Sequence, residues 1–157
     1  MQTALAEAWC MSNEANLFLL ESIPQEHLAD RYSARTRTVG GQFAHMHGVR
    51  IRCLKFMAPD LVGTLEAFPR GAQPRRAALV AALKKSQRPI ADLLERSEEV
   101  GRVKSWNGSP ATFLGYLVAH EAHHRGLAMV ALRAADHKPP DEVVHGQWQW
   151  GKQRNTR

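Results

Sequence analysis

The feature that most constrains this sequence is a pair of histidines, His120 and His124, in the middle of an apolar helical stripe. Ser109 is a good N-cap, and Pro110 follows where its missing N–H is harmless, so the pattern predicts one long helix over about 109–132. Alternating steps of four and three residues place side chains on one face of such a helix. These positions are Phe113, Leu117, His120, His124, Leu127 and Ala131. The predicted stripe is therefore apolar except for two central imidazoles.

Two imidazoles four residues apart on a helix have Cβ atoms roughly 5–6 Å apart. Both can therefore reach one metal ion at the usual distance of about 2.0–2.1 Å. The alternative is that His120 and His124 are core histidines with hydrogen-bond partners elsewhere. Burying a polar group without a partner costs roughly 1–3 kcal/mol, and two such groups in one stripe favour the metal interpretation. Glu121 and His123 flank the stripe, and Glu121 and Arg125 are interpreted as surface salt-bridging residues.

The composition is that of ordinary globular material, with 157 residues, 44% hydrophobic residues, 23% charged residues and a formal charge of +6. This length suits a single domain, with a helical bundle over about 1–135 and a tail over about 136–157. A basic chain can bind nucleic acid. Here the lysines and arginines are scattered, without a dense block or a recognition motif, so a solvated basic surface is favoured over nucleic-acid binding.

The two cysteines, Cys10 and Cys53, are far apart and fall in helical patterns, so they are interpreted as reduced thiols. The first residues show no basic segment followed by an apolar run, as a secretory signal would. No apolar stretch approaches the roughly 20 residues that a membrane span needs. The chain is therefore expected to be cytoplasmic, with no membrane contact.

Apolar periodicity predicts three further helices, over about 3–21, 37–57 and 74–97. The link over 58–73 contains several prolines and glycines, and it is long enough to cross over between helices that run parallel. Asn16, inside the first helix, is expected at the surface. No strand-like alternation is found, so the predicted fold is all-α, a four-helix bundle.

The residues after Arg133 change in character, because Pro139 and Pro140 prevent a regular helix through them. The prediction for this segment is an irregular C-terminal tail. Trp148 and Trp150 in this tail are expected to pack on the bundle or on a partner.

The second predicted helix carries two more histidines, His45 and His47. Because they are two residues apart, they point roughly 160° away from each other, and at most one can serve the same site. Both flank the apolar face of the helix, and His47 lies slightly nearer its centre. Spacing alone therefore leaves the choice between them open.

The run His120–His124 matches the H-E-x-x-H signature of zinc peptidases, in which the glutamate acts as general base. The metzincin extension requires Gly and then His at positions that hold Leu127 and Val130 here. No strand pattern offers an edge for a peptide substrate. A zincin-type peptidase is therefore disfavoured.

Two segments, Q-F-A-H-M-H-G-V-R and H-E-A-H-H-R-G-L-A, resemble the DinB/YfiT-like metal-binding proteins. The order of elements agrees as well, with a long link between the second and third helices and the paired histidines late in the chain. The ending P-P-D-E-V-V-H-G-Q-W-Q-W-G is similar to one found in a branch of that family. The resemblance covers about the whole chain, and the histidine helix is its specific part.

This resemblance implies a DinB/YfiT-like four-helix bundle, often a homodimer, in which three histidines hold a divalent metal. The metal set that it implies is His45, His120 and His124, with His47 as the alternative third ligand. Characterised relatives include thiol-dependent transferases and isomerases, in which the metal activates a low-molecular-weight thiol. Zinc, nickel and iron are not distinguished by the sequence.

Two classes of function follow from these expectations. The first is a metal-dependent transferase or hydrolase acting on a small substrate, since three neutral histidines leave a position open for water or a thiol. The second is a non-catalytic bundle stapled by its metal, with an interaction or stress-related role. A site closed by four protein ligands would favour the second class.

Overall fold

The computed structural model of the chain describes residues 2–150, and all regular structure in this range is helical. The helices are α1 (Ala4–Ser22), α2 (Val39–Met57), α3 (Arg76–Val100), α4 (Pro110–Ala134) and the short α5 (Asp141–Gly146). Two 3₁₀ turns, Gln25–Ala29 and Pro59–Leu61, follow α1 and α2. The predicted all-α fold with four main helices is confirmed, and each predicted helix end lies within three residues of the observed one.

Three of the four long helices begin at a hydroxyl side-chain cap, and the one at Ser109 is the cap that the sequence predicts. The hydroxyl of Thr3 accepts a hydrogen bond from the N–H of Ala6 at the start of α1. Thr38 caps α2 in the same way, and Ser109 caps α4. These hydroxyls satisfy backbone donors that have no partner within the helix, so the starts of the helices are encoded locally.

The apolar core consists of two clusters, one at each end of the bundle. One cluster contains Trp9, Leu54, Leu94 and Phe113, among others. The other contains Leu20, Phe43, Leu79 and Leu132, among others. The first cluster therefore joins the beginnings of α1 and α4 to the ends of α2 and α3, and the second joins the opposite ends. It follows that α2 and α3 run parallel and that the predicted crossover between them is confirmed.

A layer of buried polar side chains separates the two apolar clusters, and Arg50 of α2 is at its centre. Arg50 is fully buried, and its guanidinium contacts both carboxylate oxygens of Glu121 on α4, at 2.7 and 2.9 Å. The same guanidinium donates to the backbone oxygen of Leu83, to the hydroxyl of Ser86 and to the amide oxygen of Asn13. One side chain therefore connects all four long helices.

Asn16 and Arg125 complete this polar layer. The amide of Asn16 donates to Glu121 at 2.6 Å, and Arg125 donates to the amide oxygen of Asn16 at 2.6 Å. The expectations of a surface position for Asn16, Glu121 and Arg125 are therefore wrong. They are buried because each supplies a hydrogen-bond partner to the others, which offsets the loss of water.

The C-terminal segment differs from the predicted irregular tail in one respect, because Asp141–Gly146 forms the short helix α5 against α1. Gly146 lies so close to Phe18 that an added Cβ would be 2.5 Å from its ring. Trp148 is 78% exposed and Trp150 is 40% exposed, so the bundle leaves a large part of both rings uncovered. Their packing on a partner stays a prediction. The last basic residues lie outside the described part of the chain.

Within residues 2–150, no helix is long and apolar enough to span a membrane.

Candidate metal centre

Three histidines from two facing helices converge at one side of the polar layer. His45 comes from α2, and His120 and His124 come from α4, one turn apart. Their rings lie 5.4 Å apart for His45 and His120, 4.5 Å for His45 and His124, and 4.5 Å for His120 and His124, between centroids. One ring nitrogen of each histidine lies within 4.8 Å of those of the other two. The structure therefore brings together the three residues that the sequence and the resemblance single out.

His47, the alternative third ligand, belongs to a different environment. It is buried on the far side of α2, where Nδ1 lies 3.1 Å from the hydroxyl of Ser86. Its Nε2 lies 3.0 Å from the backbone oxygen of Glu66 in the link. Both ring nitrogens are therefore occupied by protein partners, and His45 is the histidine of this pair that lies with His120 and His124.

The orientation of His124 is set by Gln42, which precedes His45 by three residues on α2. Nδ1 of His124 lies 2.7 Å from Oε1 of Gln42, and an amide oxygen only accepts hydrogen bonds. His124 therefore carries its proton on Nδ1, and its Nε2 presents a lone pair. That lone pair faces Nε2 of His120 at 3.2 Å. Metal-binding histidines commonly donate the N–H of the nitrogen that does not bind the metal to such an acceptor, as Nδ1 of His124 does to Gln42.

The donor set fits a divalent transition metal. Two nitrogens bound at about 2.0–2.1 Å to a tetrahedral ion are about 3.3 Å apart, close to the 3.2 Å between His120 and His124. Nδ1 of His120 is buried without a hydrogen-bond partner, so no described protein group competes with a cation for that nitrogen. No cysteine or carboxylate joins the triad within residues 2–150. The arrangement can hold a cation through three nitrogens and leave a position open.

All three imidazoles are neutral at physiological pH, which is the form that binds metals. Burial, together with the charges of Arg37, His120 and Arg52, lowers the pKa of His45 to about 4. Burial and the neighbouring His45 lower the pKa of His124 to about 3. Burial also lowers the pKa of His120. The crowding of three rings beside arginines therefore disfavours protons and leaves the nitrogens free to donate electron pairs.

These lowered pKa values predict that acid destabilises the metal-free protein. Between pH 6.5, the ordinary histidine pKa, and about pH 4, the unfolded chain binds protons that the folded site rejects. Stability therefore rises with pH across this window. We expect the melting temperature, measured with a chelator present, to fall steadily from pH 7 to pH 5. The same titration of the His124→Gln variant should give a shallower slope, and equal slopes would contradict this assignment.

Glu121, which stands where the zinc peptidases have their general base, faces away from the triad. Both of its oxygens are taken by Arg50 and Asn16 inside the polar layer, and the side chain is 1% exposed. A carboxylate held in a buried ion pair cannot accept a proton from a water molecule at the histidines. The structure thus supports the expectation that the H-E-x-x-H match does not indicate a peptidase.

A second group of metal-ligating residue types, His27, Asp30 and His137, lies where α4 ends near the turn after α1. The rings of His27 and His137 are stacked at 3.7 Å with planes 5° apart, and His137 bonds to the carboxylate of Asp30 at 2.7 Å. The lone pairs of two parallel rings lie in parallel planes and cannot both point at one ion. This cluster is better suited to fastening the tail to the bundle.

A cavity of about 930 Å³ opens beside the triad between α2, α4 and the link. His45 and Gln42 line it directly, which connects the cavity to the triad. Four arginines also line it: Arg31, Arg35, Arg37 and Arg70. The volume lies at the upper end of the roughly 300–1,000 Å³ typical of small-molecule sites.

Sequence reasoning missed Gln42 and the cavity arginines. Gln42 precedes His45 by one helical turn, so i, i+3 spacing on α2 was an available signal for a residue that contacts the same site. Arg31, Arg35 and Arg70 fall in predicted links and Arg37 at the very start of a predicted helix, and nothing in the sequence places these residues beside α4.

Comparison with known proteins agrees with the fold. No curated protein matches the chain significantly. The family comparison matches the DinB family over residues 1–153, which is nearly the whole sequence. The chain therefore belongs to the DinB family.

Proposed function

We propose that this DinB protein is a divalent-metal-dependent enzyme, a transferase or hydrolase that acts on a small molecule. The proposed metal ligands are His45, His120 and His124. The observation that carries the proposal is a set of three neutral imidazoles, with no fourth protein donor among residues 2–150, at the edge of a cavity. Structural zinc sites are usually closed by four protein ligands, whereas catalytic sites keep a position open.

A divalent ion bound at such a site supplies Lewis acidity, which lowers the pKa of a coordinated thiol or water. The chain's own residues have distinct parts in the proposal. Gln42 holds the ring of His124 so that Nε2 faces Nε2 of His120. Tyr116 stacks on His120 at 5.9 Å between centroids and restricts the rotation of that ring. We propose a low-molecular-weight thiol as the nucleophile, which the resemblance to characterised relatives supports.

The competing function is a non-catalytic bundle in which the metal only staples α2 to α4. The position of the triad between these two helices is compatible with it. The adjacent cavity favours the enzyme, because a purely structural ion needs no space for a ligand.

The test measures both the coordination sphere of the bound metal and the enzymatic activity. Protein loaded separately with zinc, nickel or iron is studied by X-ray absorption and assayed for transfer of glutathione or cysteine to 1-chloro-2,4-dinitrobenzene. We expect three imidazole ligands plus a light non-protein donor, and turnover that chelation abolishes. His124→Ala should abolish turnover, and the exposed His123→Ala is the matched control that should retain it. Four protein ligands together with no metal-dependent turnover would reject the enzyme in favour of the stapled bundle.

A further inference from the structure

We propose that the cavity beside the triad binds a small anionic molecule with an apolar group, and that Arg37 holds the charged group next to the histidines. The proposal deepens the proposed function by naming the class of substrate. Its link to catalysis rests on the proposed metal centre, whereas anion binding by the cavity does not require the metal.

The charge of the cavity is the first argument. Four guanidinium groups line it, from Arg31, Arg35, Arg37 and Arg70, and no aspartate or glutamate does. None of these arginines forms an ion pair within the described part of the chain. A guanidinium presents a planar fork of donors that matches a carboxylate or a phosphate. Four of them without a counter-charge favour an oxyanion as the ligand.

The nearest acidic residues along the chain do not neutralise this charge. Asp30 immediately precedes Arg31, but its carboxylate bonds to Nδ1 of His137 at 2.7 Å. Glu66 immediately precedes the lining residue Ala67, and the side chain of Glu66 does not line the cavity. Its backbone oxygen instead meets the buried His47 at 3.0 Å. That contact holds against α2 the link whose residues 67–73 line the cavity.

The shape of the cavity explains why the ligand needs an apolar part. On α2, the positions that line the cavity around the imidazole of His45 carry little or no side chain: Gly41, Ala44 and Gly48. On α4 and the link, the walls are apolar: Leu127, Val130, Ala131 and Phe68. Leu127 was predicted in the core of the bundle and is instead 37% exposed at this cavity. The site therefore joins an apolar trough to a cationic rim.

Arg37 is the arginine that joins this rim to the triad. It precedes the N-cap of α2, and its Cβ lies 3.4 Å from the position that a Cβ on Gly41 would occupy. Gly41 is one helical turn before His45, so the side chain of Arg37 begins beside the triad. Arg37 and His45 line the same cavity. An anion bound by Arg37 would be held within reach of the open side of the metal site.

The experiment measures binding by metal-free protein, using amide chemical shifts in titrations with benzoate, phenyl phosphate and the neutral isostere benzamide. Both anions should shift the amides of Gly41, Gly48 and Gly71 saturably, and benzamide should bind at least about tenfold more weakly. Arg37→Ala should weaken the anions at least about tenfold, with Arg37→Lys between the two. Arg52→Ala is the matched control, because Arg52 lies near the triad on α2 but outside the cavity. It should change affinity less than about twofold.

Other outcomes decide between the two proposals. Equal losses in Arg37→Ala and Arg52→Ala, or equal binding of benzoate and benzamide, would overturn the anion site. A short DNA duplex that shifts these amides when the small anions do not would also overturn it. Anion binding by the unsubstituted protein, if that protein neither holds metal nor turns over substrate, would support the anion site while rejecting the proposed enzyme. Preference for benzoate or for phenyl phosphate assigns the charged group as a carboxylate or a phosphate.

Discussion

Replacing Arg50 with methionine is expected to destabilise the protein by about 3–5 kcal/mol, because it leaves the buried carboxylate of Glu121 without its cation. Arg50 is fully buried and Glu121 is 1% exposed, so water cannot replace the two lost bonds. The acceptors Asn13, Leu83 and Ser86 lose a donor as well. A loss of this size is a large part of a typical stability of about 5–15 kcal/mol. Urea denaturation at pH 7 measures it.

A double-mutant cycle separates the ion pair from the packing of the layer. Glu121→Leu alone leaves the guanidinium unpaired and should also destabilise strongly. The double variant Arg50→Met/Glu121→Leu should be more stable than the sum of the single changes predicts, by roughly 0.5–3 kcal/mol. Arg88→Met is the control, because Arg88 pairs with Asp92 at the surface and its loss should hardly move the midpoint. Additive effects in the cycle would show that the pair is not coupled.

This buried layer marks the limit of what the sequence alone could predict. The helices were predictable because their signals are local: a hydroxyl at the cap and apolar residues every three or four positions. The burial of Glu121 depends on Arg50, which is 71 residues away in sequence. A charged residue within the apolar stripe of α2 was visible, since Phe43, Met46, Arg50 and Leu54 follow helical steps. Its partner on another helix was not.

The choice between His45 and His47 shows the same limit. Spacing indicated that His47 lies nearer the centre of the apolar face, and the structure confirms this, since His47 is 2% exposed. The triad, however, forms at the flank of α2 that faces α4, where His45 lies. Which flank faces α4 depends on how the helices pack, and the buried contacts of Arg50 determine that packing. The resemblance indicated the histidine that lies beside His120 and His124, because a family pattern carries information about the packed bundle.

Removing any one histidine of the triad is expected to lower metal affinity by more than about 100-fold. Losing only the hydrogen-bond partner of a ligand lowers it by roughly 10–100-fold. The reason is the number of donors, because among residues 2–150 three histidine nitrogens converge here and two cannot enclose an ion. His124→Ala should have the largest effect, since it also frees Gln42 and removes the nitrogen that faces His120 at 3.2 Å. Competition with a calibrated chelator at pH 7 measures the affinity of each variant.

Three further variants make the assignment specific. Gln42→Leu keeps all three ligands but removes the acceptor that holds Nδ1 of His124, so affinity should fall by about 10–100-fold. His123→Ala should bind metal as the parent does, because His123 is exposed and lies outside the triad. His47→Ala should lose stability, since its bonds to Ser86 and Glu66 disappear, yet keep one metal per chain. If His47→Ala lost the metal while His45→Ala kept it, the ligand set would have to include His47, and the flank of α2 that binds the ion would be the opposite one.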